Sequence, residues 1–199
     1  MKRLTRSVAI TAVTAMLVLG LIGTAAAVPA SSTATNDTGE VDSSESGDIN
    51  ITAVEQYVHE AVNEERTADG ADELEFDSEL RNVAQEHSED MADRGYFSHV
   101  DPDGNAFTDR YADAGYECSV NGYTGGENIA QTWYDTPVNT GDGTIVHYED
   151  ERELGYGIAE QWMNSPGHKE NLLADHWENQ GIGIHVTDTD QVFATQNFC

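Results

Sequence analysis

The sequence predicts an α+β fold in which helices surround a small antiparallel sheet. Three observations predict it. The first half of the chain carries apolar residues at helical spacing, with glycines closing each run. The last twenty residues alternate apolar and polar on both sides of "TDTD". No segment repeats along the chain, which argues for one domain rather than an array.

Each element follows from local pattern. In "VEQYVHEAV", Val54, Tyr57, Val58, Ala61 and Val62 form the stripe of an amphipathic helix, and Gly70 punctuates it. A second helix starts after Asp77, an N-cap with Glu79 in the first turn. Its inner face is Leu80, Val83, Ala84, His87 and Met91, and Gly95 stops it. His87 on that face reads as an interior histidine. A short third helix carries Phe107, Arg110, Tyr111 and Ala114 and closes at Gly115. The stretch from Gly122 to Gly143 is rich in Gly, Asn and Asp, and reads as a strand, "ENIAQTW", followed by a loop.

A fourth helix places Leu154, Ile158 and Trp162 four apart. In "WMNSPGHKENLL" Pro166 cannot continue that helix but suits the first position of a new one. Ser165 is then the N-cap and His168 stands at the third helical position. The positive end of the helix there disfavours an imidazolium. A neutral imidazole is the form that ligates a metal or accepts a proton. Ile182, Ile184 and Val186, then Val192 and Ala194, complete a hairpin.

The N-terminus reads as an export leader. Lys2, Arg3 and Arg6 precede an apolar run from Val8 to Ile22, and "TAAAVPA" offers a small-residue cleavage site after Ala27. Residues 1–27 are therefore expected to be a signal peptide. No stable membrane insertion is expected after its removal. Residues 28–50 include "SSTATNDTGEVDSSESGD", too poor in apolar groups to offset chain entropy, and are expected to be a disordered acidic linker. Residues 51–199 remain as the folded domain, secreted to the cell exterior.

Charge is the strongest compositional signal. The chain has 9 basic and 37 acidic residues, a net −28. Without Lys2, Arg3 and Arg6 the balance is 6 against 37, or −31. Such self-repulsion destabilises a compact state in dilute buffer. At about 1 M salt the Debye length is roughly 3 Å and the repulsion is screened. The composition therefore suggests adaptation to concentrated brine. It argues against nucleic acid as a partner, since nothing supplies a basic footprint. Two cysteines, Cys118 and Cys199, occur in an exported chain. They form either a disulfide tying the C-terminus to the middle of the domain or two buried thiols, and export favours the disulfide.

Three stretches carry the candidate chemistry: "YFSHVDPDG", "GGENIAQTW" and "WMNSPGHKENLL". With the helices before them and "GIG" after, their order resembles the CAP superfamily (the SCP/PR-1-like domain) in its short prokaryotic branch. The likeness covers Val54 to Phe198. It implies an α-β-α sandwich with a shallow cleft holding two histidines and two acids, able in many members to bind a divalent metal. On this sequence the histidines fall on His99 and His168, and the first acid on Glu127. The second acid would fall on Ser165, where no acid stands. Glu160 precedes Trp162 and does not take its place.

The same trio has a separate chemical reading. Two imidazoles, one carboxylate and a water would suit a divalent metal such as Zn²⁺. The acid can instead orient the imidazoles by hydrogen bonds without metal. "DPDGN" lacks the later acidic ligand of a calcium loop and reads as a turn. Ser165 and His168 are weak as a hydrolase pair, with no G-x-S-x-G elbow in the chain.

The resemblance favours an extracellular binding module whose partner is an unidentified extracellular ligand or surface component. The alternatives are a metal-assisted hydrolase built on His99, Glu127 and His168, and carriage of a lipid or other apolar ligand.

Overall fold

The computed structural model describes residues 49–140 and 143–199. The expected signal peptide, and all of the expected linker but its last two residues, lie outside the described residues. Ile49 is buried in the core, and Asn50 caps the first helix by accepting from Ala53 N. Residues 49 and 50, expected in the linker, are thus part of the folded domain.

Helix α1 (Ile51–Asp69) ends at Gly70 in the left-handed region. A two-residue strand β1 (Glu75–Phe76) leads to α2 (Ser78–Arg94), whose N-cap Asp77 accepts from Glu79 N and Leu80 N. Helix α3 (Phe107–Asp113) precedes β2 (Gly126–Trp133). A minor ribbon of β3 (Val138–Asn139) and β4 (Ile145–Val146) follows. Then come α4 (Glu151–Asn164), α5 (Pro166–Leu172), β5 (Asn179–Val186) and β6 (Gln191–Phe198).

The main sheet has the order β1-β5-β6-β2. The three long strands are antiparallel, as expected, but β1 pairs in parallel with β5, so the sheet is mixed. Two residues are too few to show a period, which is why β1 was not legible. Helix α2 covers one face of the sheet and α1 with α4 the other, giving the α-β-α sandwich.

The "GIG" of β5 explains how closely α2 seats. A Cβ on Gly181 would run into the backbone of Leu80 and Arg81, and one on Gly183 into Ala84 and Gln85. Between these glycines, Ile182 points to the other face, where it joins Val54, Val58, Leu154, Ile158 and Trp162 in the main core. Cys118 and Cys199 are joined in a disulfide, which closes an 81-residue separation and fastens the C-terminus to the α3–β2 connection. Among the described residues no helix is long and apolar enough to cross a membrane.

Candidate functional site

The site begins with alternation along β2. Ile129 packs with Met91 of α2, so Glu127, two residues earlier, projects from that same sheet face. Gly125 sits at φ +112, a conformation that admits the turn into β2, and a Cβ there would meet the Tyr111 ring. Glu127 is thereby held at the strand entrance, with its side chain only 1% exposed.

A buried carboxylate must be paired, and Glu127 is paired on both oxygens. Its Oε1 accepts from His99 Nδ1 at 2.8 Å. Its Oε2 accepts from Arg110 Nη2 in a short, charge-assisted bond. The carboxylate can only accept, so His99 carries its proton on Nδ1 and presents Nε2 to the cleft. Arg110 Nη1 also donates to the carbonyls of Asn105 (3.2 Å) and His99 (3.4 Å). One guanidinium thus neutralises Glu127 and fastens the loop that carries His99.

His87 lies beneath. It is fully buried and donates from Nε2 to Ser98 O at 3.1 Å, with the same nitrogen 4.0 Å from Glu127 Oε1. Burial first of all lowers its pKa; the nearby Glu127 charge opposes that shift. The interior reading of His87 is therefore matched by its burial, and its hydrogen bond braces the loop at the residue before His99. In "DPDGN", Asp101 Oδ1 accepts from the N–H groups of Asp103 and Asn105, which makes the stretch a closed turn.

His168 comes from the opposite wall. Its ring centroid is 6.3 Å from that of His99. Burial lowers its pKa, and the neighbouring His99 adds to the effect. Ser165 occupies the N-cap position, but its side chain makes no capping hydrogen bond. Its backbone alone serves there, the carbonyl accepting from Lys169 N at 2.8 Å. The seven-residue α5 is seated instead by Asn171, whose Nδ2 donates to Glu127 O and Asn128 Oδ1, each at 3.2 Å.

His99, Glu127, Ser165 and His168 line one open cleft of about 760 Å³, walled on its far side by Tyr123, His176 and Trp177. Sequence reasoning missed Arg110 and these three aromatic rings. The signal for Arg110 was present: a charged residue within the apolar stripe of a short helix. His176 has no such signal, because its partner Tyr123 is 53 residues away in the sequence.

Comparison with known proteins places the fold. Residues 59–198 match CAP, the cysteine-rich secretory protein family. The membrane protein YlbC of Bacillus subtilis is 31% identical over 74% of this chain and 34% of its own length. YkwD of the same organism is 31% identical over 80% of this chain and 51% of its own. The chain thus spans about half or less of the curated relatives it matches. An extracellular SCP-domain protein of Bacillus anthracis is 28% identical, with a TM-score of 0.55 over 77% of this chain and 44% of that one. An outer surface protein of Borrelia burgdorferi shares the fold, with a TM-score of 0.58 at 19% identity over 75% of this chain and 94% of its own.

Proposed function

The chain belongs to the CAP family of cysteine-rich secretory proteins, and from that membership we propose that it is an extracellular, non-enzymatic binding module acting through the His99–Glu127–His168 cleft. One observation carries the reading: both oxygens of Glu127 are already taken, one by His99 and one by Arg110. A general base needs a carboxylate free to accept a proton from water. A carboxylate fixed by a guanidinium instead orients its imidazole and holds the wall of the cleft.

The same pairing makes Glu127 a poor direct ligand for the divalent metal that the family resemblance implied. A metal ion at Glu127 would have to displace a guanidinium that is 12% exposed and held by three acceptors. Ser165 supplies no second carboxylate. Among the described residues no group of three or more His, Cys, Asp or Glu is placed to hold a metal ion. Apolar carriage between the helices fits no better. A Cβ on Gly155 of α4 would meet Val54 O and Val58 N of α1 at 3.0 Å, so the two helices touch at their backbones.

Export is supported by the leader-like N-terminus, by the disulfide and by the extracellular SCP-domain relative. The excess of 37 acidic over 9 basic residues supports function in brine. The test is metal analysis of protein purified in high salt, beside a His99→Ala/His168→Ala variant and a panel of peptide and ester substrates. The expected result is sub-stoichiometric metal and no turnover. Stoichiometric metal that the double variant loses, or turnover that it abolishes, would falsify the binding-module reading.

A further inference from the structure

The aromatic wall of the cleft is built in layers. The Tyr123 ring stacks on the His176 ring with centroids 3.7 Å apart and planes 11° from parallel. His176 lies 4.1 Å from Trp177, and Trp177 stacks on the buried Phe198 at 5.7 Å and 21°. Each layer is backed by the next, down to the core. Trp177 Nε1 donates to Asn171 O at 3.0 Å, which fixes that ring, and Asn121 Nδ2 donates to the backbone carbonyl of His176 at 3.4 Å. Tyr123 is nevertheless 50% exposed. With one face covered by His176, its open area is the opposite face, at the cleft.

We infer that this stack is a platform for a neutral saccharide, whose ring lies on the open face of Tyr123 while its hydroxyls reach the histidine wall. The assignment rests on the binding-module reading and names its ligand class. Three features select it. A rigid, flat aromatic face takes up the C–H face of a pyranose with little ordering cost. The uncommitted polar groups around it are of the kind hydroxyls need. Among the described residues the Ser165 hydroxyl and the His168 ring make no hydrogen bond, and a hydroxyl or a neutral imidazole can both donate and accept. A cationic ligand would need acceptors alone.

Charge excludes the opposite class. The cleft lining contains Glu170 and Asp175 and no lysine or arginine, so phosphates, sulfated glycans and uronates are repelled. A neutral ring is indifferent to that field and to the salt that screens it.

The experiment titrates the folded chain, in high salt, with an N-acetylglucosamine tetramer, cellotetraose, tetragalacturonate and spermine. Calorimetry and histidine NMR resonances are the readouts. A neutral oligosaccharide is expected to bind with a dissociation constant on the order of millimolar and to shift His168. Tyr123→Ala should weaken it roughly tenfold, the loss expected from uncovering about 50 Å² of apolar ring face, while Tyr123→Phe retains it. Unchanged thermal unfolding shows that Tyr123→Ala is folded. No binding of either neutral sugar, binding indifferent to Tyr123→Ala, or tighter binding of tetragalacturonate overturns the saccharide platform. Spermine binding that shifts His168, with no sugar effect, also overturns it but leaves the cleft a binding site. Hydrolysis of an oligosaccharide that Glu127→Gln abolishes defeats the binding-module reading instead.

Discussion

Replacing Arg110 by methionine tests the central structural claim about the site. Methionine keeps most of the side-chain length and removes the charge and its donors. Glu127, its side chain 1% exposed, would lose the partner of Oε2 and keep only His99 on Oε1. Breaking a buried ion pair on one side costs about 3–5 kcal/mol. The surviving His99 bond and the filled volume place Arg110→Met at the lower end, about 3 kcal/mol. For a domain of this size that corresponds to a fall in melting temperature of about 6–12 °C. Urea is the suitable denaturant, because guanidinium would itself screen the acidic surface. With an m-value near 2 kcal/mol/M, the urea midpoint should fall by about 1.5 M. The decisive measurement is the cycle with Glu127→Gln. If the two groups stabilise chiefly each other, the double variant is no worse than either single one, a coupling of about 2–3 kcal/mol. A single-variant loss under about 1 kcal/mol, or losses that simply add, would refute the paired-carboxylate account.

Three further outcomes are expected. Dialysis from about 1 M to below about 0.1 M salt should lower the urea midpoint and erode the far-UV helical signal, since the Debye length grows from roughly 3 to 10 Å; full stability at low salt would contradict the role assigned to the 37 acids. Gly183→Ala should lose about 3 kcal/mol, because the methyl meets the backbone of Gln85 and not a movable side chain; a neutral effect by thermal denaturation would show that α2 can lift off β5. Burial lowers the pKa values of His59, His87 and His168 from the ordinary 6.5. The unfolded chain therefore binds protons first as pH falls, so the stability these residues contribute is present above 6.5 and is lost as pH falls from there through their lower folded values. Urea midpoints that stay flat from pH 7 to 5 would remove that account.

The helices and the long hairpin were legible because each buries one face over many residues, which imprints a period. The stripe of Val54, Val58, Ala61 and Val62 and the alternation of Ile182, Ile184 and Val186 both reach the core. Strands β1, β3 and β4, at two residues each, leave no such imprint. At the site, His99, Glu127 and His168 sat in short motifs whose order was readable. What those motifs could not reveal was pairing. Arg110 stood out as a charge within an apolar stripe, but only the fold brings it to Glu127. Ser165 shows the converse failure: Ser before Pro reads as a side-chain cap, yet the Ser165 hydroxyl makes no capping bond to the N–H groups of Gly167 or His168.

A buried line of amides predicts that the cleft and the core respond to acid together. Asn128 follows Glu127 on β2 and so points to the opposite sheet face. Its Nδ2 donates to His168 O at 3.2 Å and to Gln196 Oε1 at 3.0 Å. Gln196 Nε2 donates to Gln180 Oε1 at 2.7 Å, and Gln180 Nε2 donates to His59 Nδ1 at 2.8 Å. Asn128, Gln196 and Gln180 are all buried, one on each of the three long strands. Such a line adds little net stability over apolar packing, but each amide accepts only in one register and orientation. It therefore fixes where α5 sits on β2, and with it the position of His168. The line ends on a lone pair of His59, so His59 must stay unprotonated at Nδ1. An imidazolium there would set an N–H against the N–H of Gln180 and reverse the last bond of the line. Protonating His168 disfavours the cleft directly, and protonating His59 disfavours it from the far end of the same three strands.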